Sequence, residues 1–164
     1  MNDINFNEAA DKIVALELDE HTIVRRSVEV EHERKVAMYD LLDMNRFRPV
    51  GDFKGPFKVR LGIEDAKRLV FRIDNEEDVN LTDVTLPLSP FRRIVRDYFQ
   101  ICESYYDAIK KLSPSQIETI DMARRGLHNE GADVLVEALQ GKIEMDKATS
   151  RRLFTLVCVL HIRG

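Results

Sequence analysis

The sequence predicts an α+β domain: an antiparallel β-meander plus an N-terminal strand, packed against a C-terminal set of three helices, with one helix after the first strand. Three observations carry this reading. Between Phe57 and Leu88 apolar side chains recur at every second position in three short runs, the period of half-buried strands. From Ser89 to Leu139 the period becomes that of amphipathic helices. The strands come first and the helices after, an order that puts helices on one face of an antiparallel sheet. The 164 residues are read as one domain, 1–164, with a helical hairpin over 89–139 inside it.

Residues 12–18 (KIVALEL) suit a strand with Val14, Leu16 and Leu18 on one face. A connection over 19–27 carries His21 and the doublet Arg25–Arg26, and Ser27 can cap a helix running to about Met44. Glu29, Glu31 and Glu33 load its first turns with negative charge, which the helix dipole favours. Residues 46–56, with Pro49, Gly51, Gly55 and Pro56, read as a loop. Phe57, Val59, Leu61 and Ile63 then alternate with Lys58, Arg60 and Gly62; a turn at 64–67 leads to Leu69, Phe71 and Ile73. Residues 74–83 form an acidic loop, and Val84, Leu86 and Leu88 complete the meander. Ser89 and Pro90 suit the cap and first position of a helix whose stripe is Phe91, Ile94, Val95, Tyr98, Ile101, Cys102, Tyr105, Ala108, Ile109 and Leu112. Ser113-Pro114-Ser115-Gln116 fits a capping box for the next helix, striped by Ile117, Ile120, Ala123, Leu127, Val134, Leu135 and Ala138. Asp146 can cap a last helix over 147–162, although the apolar, partly β-branched run at 153–160 would look similar as a buried strand; a helix is chosen because 147–152 is helix-friendly and the segment is long enough. The run at 153–160 is apolar on all sides, so it must be enclosed by the fold or, through Phe154 and Val157, by a second copy in a homodimer.

Composition narrows the class. With 44% hydrophobic and 33% charged residues the chain is globular rather than disordered. A net charge of −4 argues against coating nucleic acid or an anionic membrane. Cys102 and Cys158 lie in apolar stretches, as reduced buried thiols of a cytoplasmic protein would. The first eight residues lack a signal peptide's basic and apolar regions, and 153–160 is too short to span a bilayer. No P-loop, dinucleotide-binding glycine pattern, nucleophile elbow or zinc-ligand spacing is present, so no cofactor and no metal site is expected.

The candidate chemistry lies on the helical hairpin. Arg92, Arg93 and Arg96 crowd the start of its first helix, where cations oppose the dipole by about 0.3–1 kcal/mol each unless compensated. Arg124, Arg125 and His128 share a face of the second helix, followed by Asn129 and Glu130. Gly126 and Gly131 each cost about 1 kcal/mol in a helix; a close approach of another group, or a break near Asn129, would explain them. The bland reading pairs the arginines with some of the 29 acidic residues. The functional reading is an anion site, with four arginine doublets (25–26, 92–93, 124–125, 151–152) available to converge on it. Glu29 and His32 make one Glu-x-x-His unit, but a carboxylate-bridged metal pair needs a second, which is absent. His161 beside Arg163 suits a helix end.

The stretches RRSVEVEHER (25–34), LSPFRRIVRDYFQICESYYDAI (88–109), MARRGLHNEGADVL (122–135) and RRLFTLVCVLHIRG (151–164) resemble uncharacterised protein family 0262 of alphaproteobacteria. The resemblance implies a bacterial cytoplasmic protein and transfers no activity, substrate or catalytic residue. Arg124 and His128 are also similar to the arginine–histidine pair of helical ribonucleases of the higher-eukaryote and prokaryote nucleotide-binding class. Only three residues separate them, shorter than that motif's spacing, and Arg125 replaces its polar residue.

Two classes of function follow. The first is a binding or regulatory protein whose face of Arg92, Arg93, Arg96, Arg124, Arg125, His128, Asn129 and Glu130 receives a small phosphorylated or carboxylate ligand or an acidic protein partner. The second is a phosphate-ester enzyme or phosphotransfer protein with His128 as base or nucleophile beside Arg124 and Arg125. RNA is disfavoured, because Phe91, Tyr98 and Tyr105 belong to the core stripe and leave few rings for base stacking.

Overall fold

A computed structural model describes residues 5–19 and 28–160, and within them every side chain except those of 28–30, 106 and 108. His21, Arg25, Arg26, the Ser27 cap, the Glu29 side chain, His161 and Arg163 therefore lie outside the described residues. The elements run β1 (Ile13–Leu18), α1 (Val28–Asp43), β2 (Phe47–Pro49), β3 (Phe57–Glu64), β4 (Arg68–Asp74), β5 (Asn80–Pro87), a 3₁₀ turn (Ser89–Phe91), α2 (Arg92–Lys111), α3 (Pro114–Ala138), β6 (Ile143–Met145) and α4 (Lys147–Leu160). This is the expected α+β class.

One sheet has the order β1-β3-β4-β5. The meander β3-β4-β5 is antiparallel, with Phe57, Val59, Leu61, Leu69, Phe71, Ile73, Val84 and Leu86 buried on one face. β1 runs parallel to β3, because α1 intervenes between them in the chain and carries it back to the starting end. The register slips between Ile13 and Ala15, so the core-facing residues of β1 are Ile13, Leu16 and Leu18, while the expected Val14 points outward. β2 and β6 form a second, two-stranded sheet. Neither strand was foreseen; β2 falls in the expected loop over 46–56, and three residues are too few for an alternation to show.

Other local expectations are corrected by the structure. The acidic loop is shorter than 74–83, since β5 already begins at Asn80; the Asn75 side chain closes it by accepting from Glu77 N at 2.9 Å and Val79 N at 3.0 Å. Ser89 does not cap α2. Leu88 occupies the cap of the 3₁₀ turn, with no side-chain cap bond. Ser113 and Gln116 do form the capping box of α3, and Asp146 Oδ1 accepts from Thr149 N at 3.0 Å at the start of α4. The outer ends of the hairpin project from the fold, leaving Ile109, Leu112 and Ala123 exposed.

α3 runs unbroken through Asn129. The cost of Gly131 has the close-approach explanation: a Cβ there would lie 2.3 Å from the Phe154 ring. α4 packs between α1 and α3, and every residue from Leu153 to Leu160 is buried. Phe154 and Val157 are both 0% exposed within the chain itself, so the face considered for a second copy is already occupied. Cys102 and Cys158 are buried and free.

The two helical glycines should respond in opposite directions to alanine. Gly131→Ala forces the Phe154 ring to move and should destabilise by about 1–3 kcal/mol. Gly126 has open space at its Cβ, so Gly126→Ala should stabilise by up to about 1 kcal/mol. Urea unfolding of both variants decides the matter; equal effects would overturn the packing account.

Candidate functional site

Helical periodicity assembles a cleft at the junction of α1, α3 and α4. Arg124 and His128 stand one turn apart on α3, as do Arg151 and Thr155 on α4. Seating Phe154 against Gly131 brings those two ridges together. α1 supplies Glu33 and Asp40 on the facing side, with Val36 and Ala37 between them. The cleft has a volume of about 250 Å³; Arg152 and Ala148 of α4 complete its wall.

At its inner end lies a hydrogen-bonded network. His128 Nε2 is 2.9 Å from Thr155 Oγ1 and 3.1 Å from the Tyr98 hydroxyl. The imidazole stacks on the Tyr98 ring, with centroids 4.9 Å apart, and meets Phe154 edge-on. Thr155 Oγ1 also donates to the Arg151 carbonyl at 3.2 Å, the usual back-bond of a helical threonine. With that proton so used, an Nε2–H shared by the two hydroxyl oxygens satisfies the ring, and the Tyr98 proton is left for the Cys102 thiol. Burial, reinforced by Arg124 and Arg151, lowers His128 to about 4, so the ring is neutral near pH 7. Burial likewise pushes Tyr98 above the usual phenol range, Cys102 up to about 11 although its Tyr98 bond pulls it down, and Cys158 well above the usual thiol value. These thiols are poor nucleophiles.

The arginines fall into two groups. Asp121 bridges Arg124 at 3.0 Å and Arg125 at 2.7 Å, and Glu33 lies 3.6 Å from Arg124. Partial burial would raise Asp121, but the two guanidinium groups outweigh it and hold the carboxyl below its ordinary value. Arg151 and Arg152 differ: Arg151 donates to Asn129 Oδ1 at 3.3 Å and Arg152 to the Met44 carbonyl at 3.1 Å. Among the described residues neither has an acidic partner.

The predicted site is thus divided. Arg124 and His128 line the cleft, and Asn129 adjoins it through Arg151. Arg125 is exposed and held by Asp121. Arg92, Arg93 and Arg96 do not reach the cleft; they are exposed on α2, where Arg93 pairs with Asp97 and with Glu130. Sequence reasoning saw Arg151–Arg152 only as one of four doublets and left Thr155, Glu33 and Asp40 out of the site. The Arg151-x-x-x-Thr155 spacing, which puts both side chains on one face of α4, was the available signal.

A family model for the uncharacterised protein family UPF0262 matches residues 10–163. The chain belongs to UPF0262. Among its relatives, the UPF0262 protein of Paramagnetospirillum magneticum is 59% identical over 153 residues, covering 93% of this chain and 97% of the relative. The UPF0262 protein of Rhodospirillum rubrum is 56% identical over 154 residues, 94% of each chain. That of Ruegeria pomeroyi is 55% identical over 158 residues, 93% of this chain and 98% of the relative. No solved structure matches the chain. These UPF0262 names state no activity, so the site's chemistry has to be argued from its geometry.

The His128 environment makes a signed prediction. Its folded value, about 4, lies below the ordinary 6.5, so the unfolded chain binds the proton more readily. Its contribution is complete above about pH 6.5 and is lost as the pH falls towards 4. Between pH 6.5 and 5 the wild type should lose about 1–2 kcal/mol more than His128→Gln. Urea midpoints at the two pH values test this; equal losses would show that His128 ionises normally.

Proposed function

We propose that the protein binds a small anionic molecule, phosphorylated or carboxylate, in the cleft between α1, α3 and α4, as a binding or regulatory protein rather than an enzyme. The observation that carries this is the presentation of Arg151 and Arg152 from one helix turn, both bonded only to neutral oxygens. A guanidinium whose donors meet amide oxygens keeps its full charge for an incoming anion. Arg124, fixed by Asp121 and Glu33, and the neutral His128 form the adjoining wall.

Phosphate-ester chemistry at His128 fits this geometry less well. A base or nucleophile needs a free, basic nitrogen. Here the Nε2–H is held by two hydroxyl oxygens and burial lowers the ring to about 4, so the nitrogen left to accept a proton is only weakly basic. A cytoplasmic setting goes with the binding reading and is supported by the free, buried thiols of Cys102 and Cys158. Among the described residues no helix is long and apolar enough to cross a membrane.

Thermal-shift and calorimetric titrations with inorganic phosphate, phosphorylated metabolites and dicarboxylates test the proposal. Binding should weaken at least fivefold in Arg151→Gln and in Arg152→Gln, and should fall with added salt. Arg92→Gln and Arg96→Gln should leave it unchanged. Loss of binding in the α2 variants, but not in the α4 variants, would move the site to the exposed face of α2. No binding by any of the anions would overturn it.

A further inference from the structure

The cleft carries a feature that a simple anion site does not require. Asp40, half-buried on α1, lines the same cavity as Arg151 and Arg152. Among the described residues its carboxylate has no hydrogen bond or ion pair, and none of the ion pairs joins it to either arginine. Unlike charges sharing a cavity of about 250 Å³ would ordinarily close on one another if their role were only to hold helices together. Here the positive pole stands on α4 and the negative pole on α1. Arg152 is tethered to the Met44 carbonyl and Arg151 to Asn129, which holds both guanidinium groups away from Asp40. Glu33, the other carboxylate of the α1 wall, is engaged with Arg124 and leaves Asp40 as the acceptor. Val36 and Ala37 provide an apolar strip between the two acids.

We infer that the ligand is a small zwitterion: an anionic head taken by Arg151 and Arg152 and a primary ammonium taken by Asp40, joined by a linker short enough for the cavity of about 250 Å³. This rests on the anion-binding reading above and adds the second pole. An unpaired carboxylate in the cavity repels a plain anion, so the same residue that recruits an ammonium discriminates against phosphate and simple acids.

Matched probes isolate the second pole. 2-Aminoethyl phosphate and ethyl phosphate differ only in the amine, as do β-alanine and propionate. By calorimetry at pH 7 the amine-bearing member of each pair should bind about two- to fivefold more tightly, the range expected of one partly exposed charge pair. Asp40→Asn should abolish that preference, weakening 2-aminoethyl phosphate while strengthening ethyl phosphate. Circular dichroism and an unchanged urea midpoint certify that the variant is folded; should it fail to fold, Asp40→Ser supplies the same comparison. Vesicles containing phosphatidylethanolamine separate a free molecule from a lipid headgroup: co-sedimentation with vesicles but no binding of the soluble probes would overturn the inference. Equal affinity within each pair would also overturn it while leaving the anion site standing. Failure of all four probes would overturn the inference, and failure as well of inorganic phosphate, phosphorylated metabolites and dicarboxylates would remove the anion site with it.

Discussion

The contact on which the site depends is the Phe154 ring lying where a side chain at position 131 would be. Glycine lets α4 approach α3 until the ring sits against bare helix, and the polar contacts between these two helices follow from that approach. Arg151 and Thr155 are one turn from each other and flank Phe154 on α4; His128 and Asn129 lie within the turn that precedes Gly131 on α3. The pairs Arg151–Asn129 and Thr155–His128 are therefore in register because the apolar contact between them sets the spacing. The apolar packing fixes position to a fraction of an ångström, and the weaker hydrogen bonds take up what it offers.

Charge is arranged around this contact with the same economy. Arg124 lies where water is scarce and is matched by Asp121 and Glu33, since an uncompensated cation there would carry a large desolvation cost. Arg125, out in solvent, gains little from Asp121. Arg93 is tied to Asp97 and Glu130, which relieves its unfavourable place near the start of α2. The bland expectation for an arginine-rich sequence, that its cations find acidic partners in the fold, thus holds for Arg93, Arg124 and Arg125. Arg151 and Arg152 depart from it, as do the exposed Arg92 and Arg96, which have no acidic partner among the described residues.

The sequence carried the fold class through its periodicities, and these were strongest where burial is one-sided. The meander shows every second residue of β3, β4 and β5 facing the core, so its alternation was plain. β1 was misread at Val14, because a slip of one residue reverses the face and leaves no mark in the apolar stretch Ile13–Leu16. β2 and β6 were invisible for a related reason: each is defined by its partner about a hundred positions away, not by its own pattern. In the site, Arg124 and His128 could be read from their shared helical face. Asp40 could not, because its place in the cleft is set by which helix packs against α1. Arg92, Arg93 and Arg96 drew attention by their density along the chain, yet a cluster in sequence at a helix start points outward unless something covers that end.

The low basicity of His128 completes the physical picture of the cleft. A ring placed beside Arg124 and Arg151 could have reinforced their charge by protonating; burial against Tyr98 and Phe154 prevents it. The polar groups behind the ring share this character, since Tyr98, Cys102 and Cys158 are all shifted away from ionisation near neutral pH. The inner end of the cleft is thus uncharged and hydrogen-bonded, while its permanent charge stands on guanidinium groups that do not titrate. A neutral, stacked wall beneath fixed cations favours orientation of a ligand over proton transfer to it. That division of labour is the physical ground for reading the cleft as a place where a molecule is held rather than transformed.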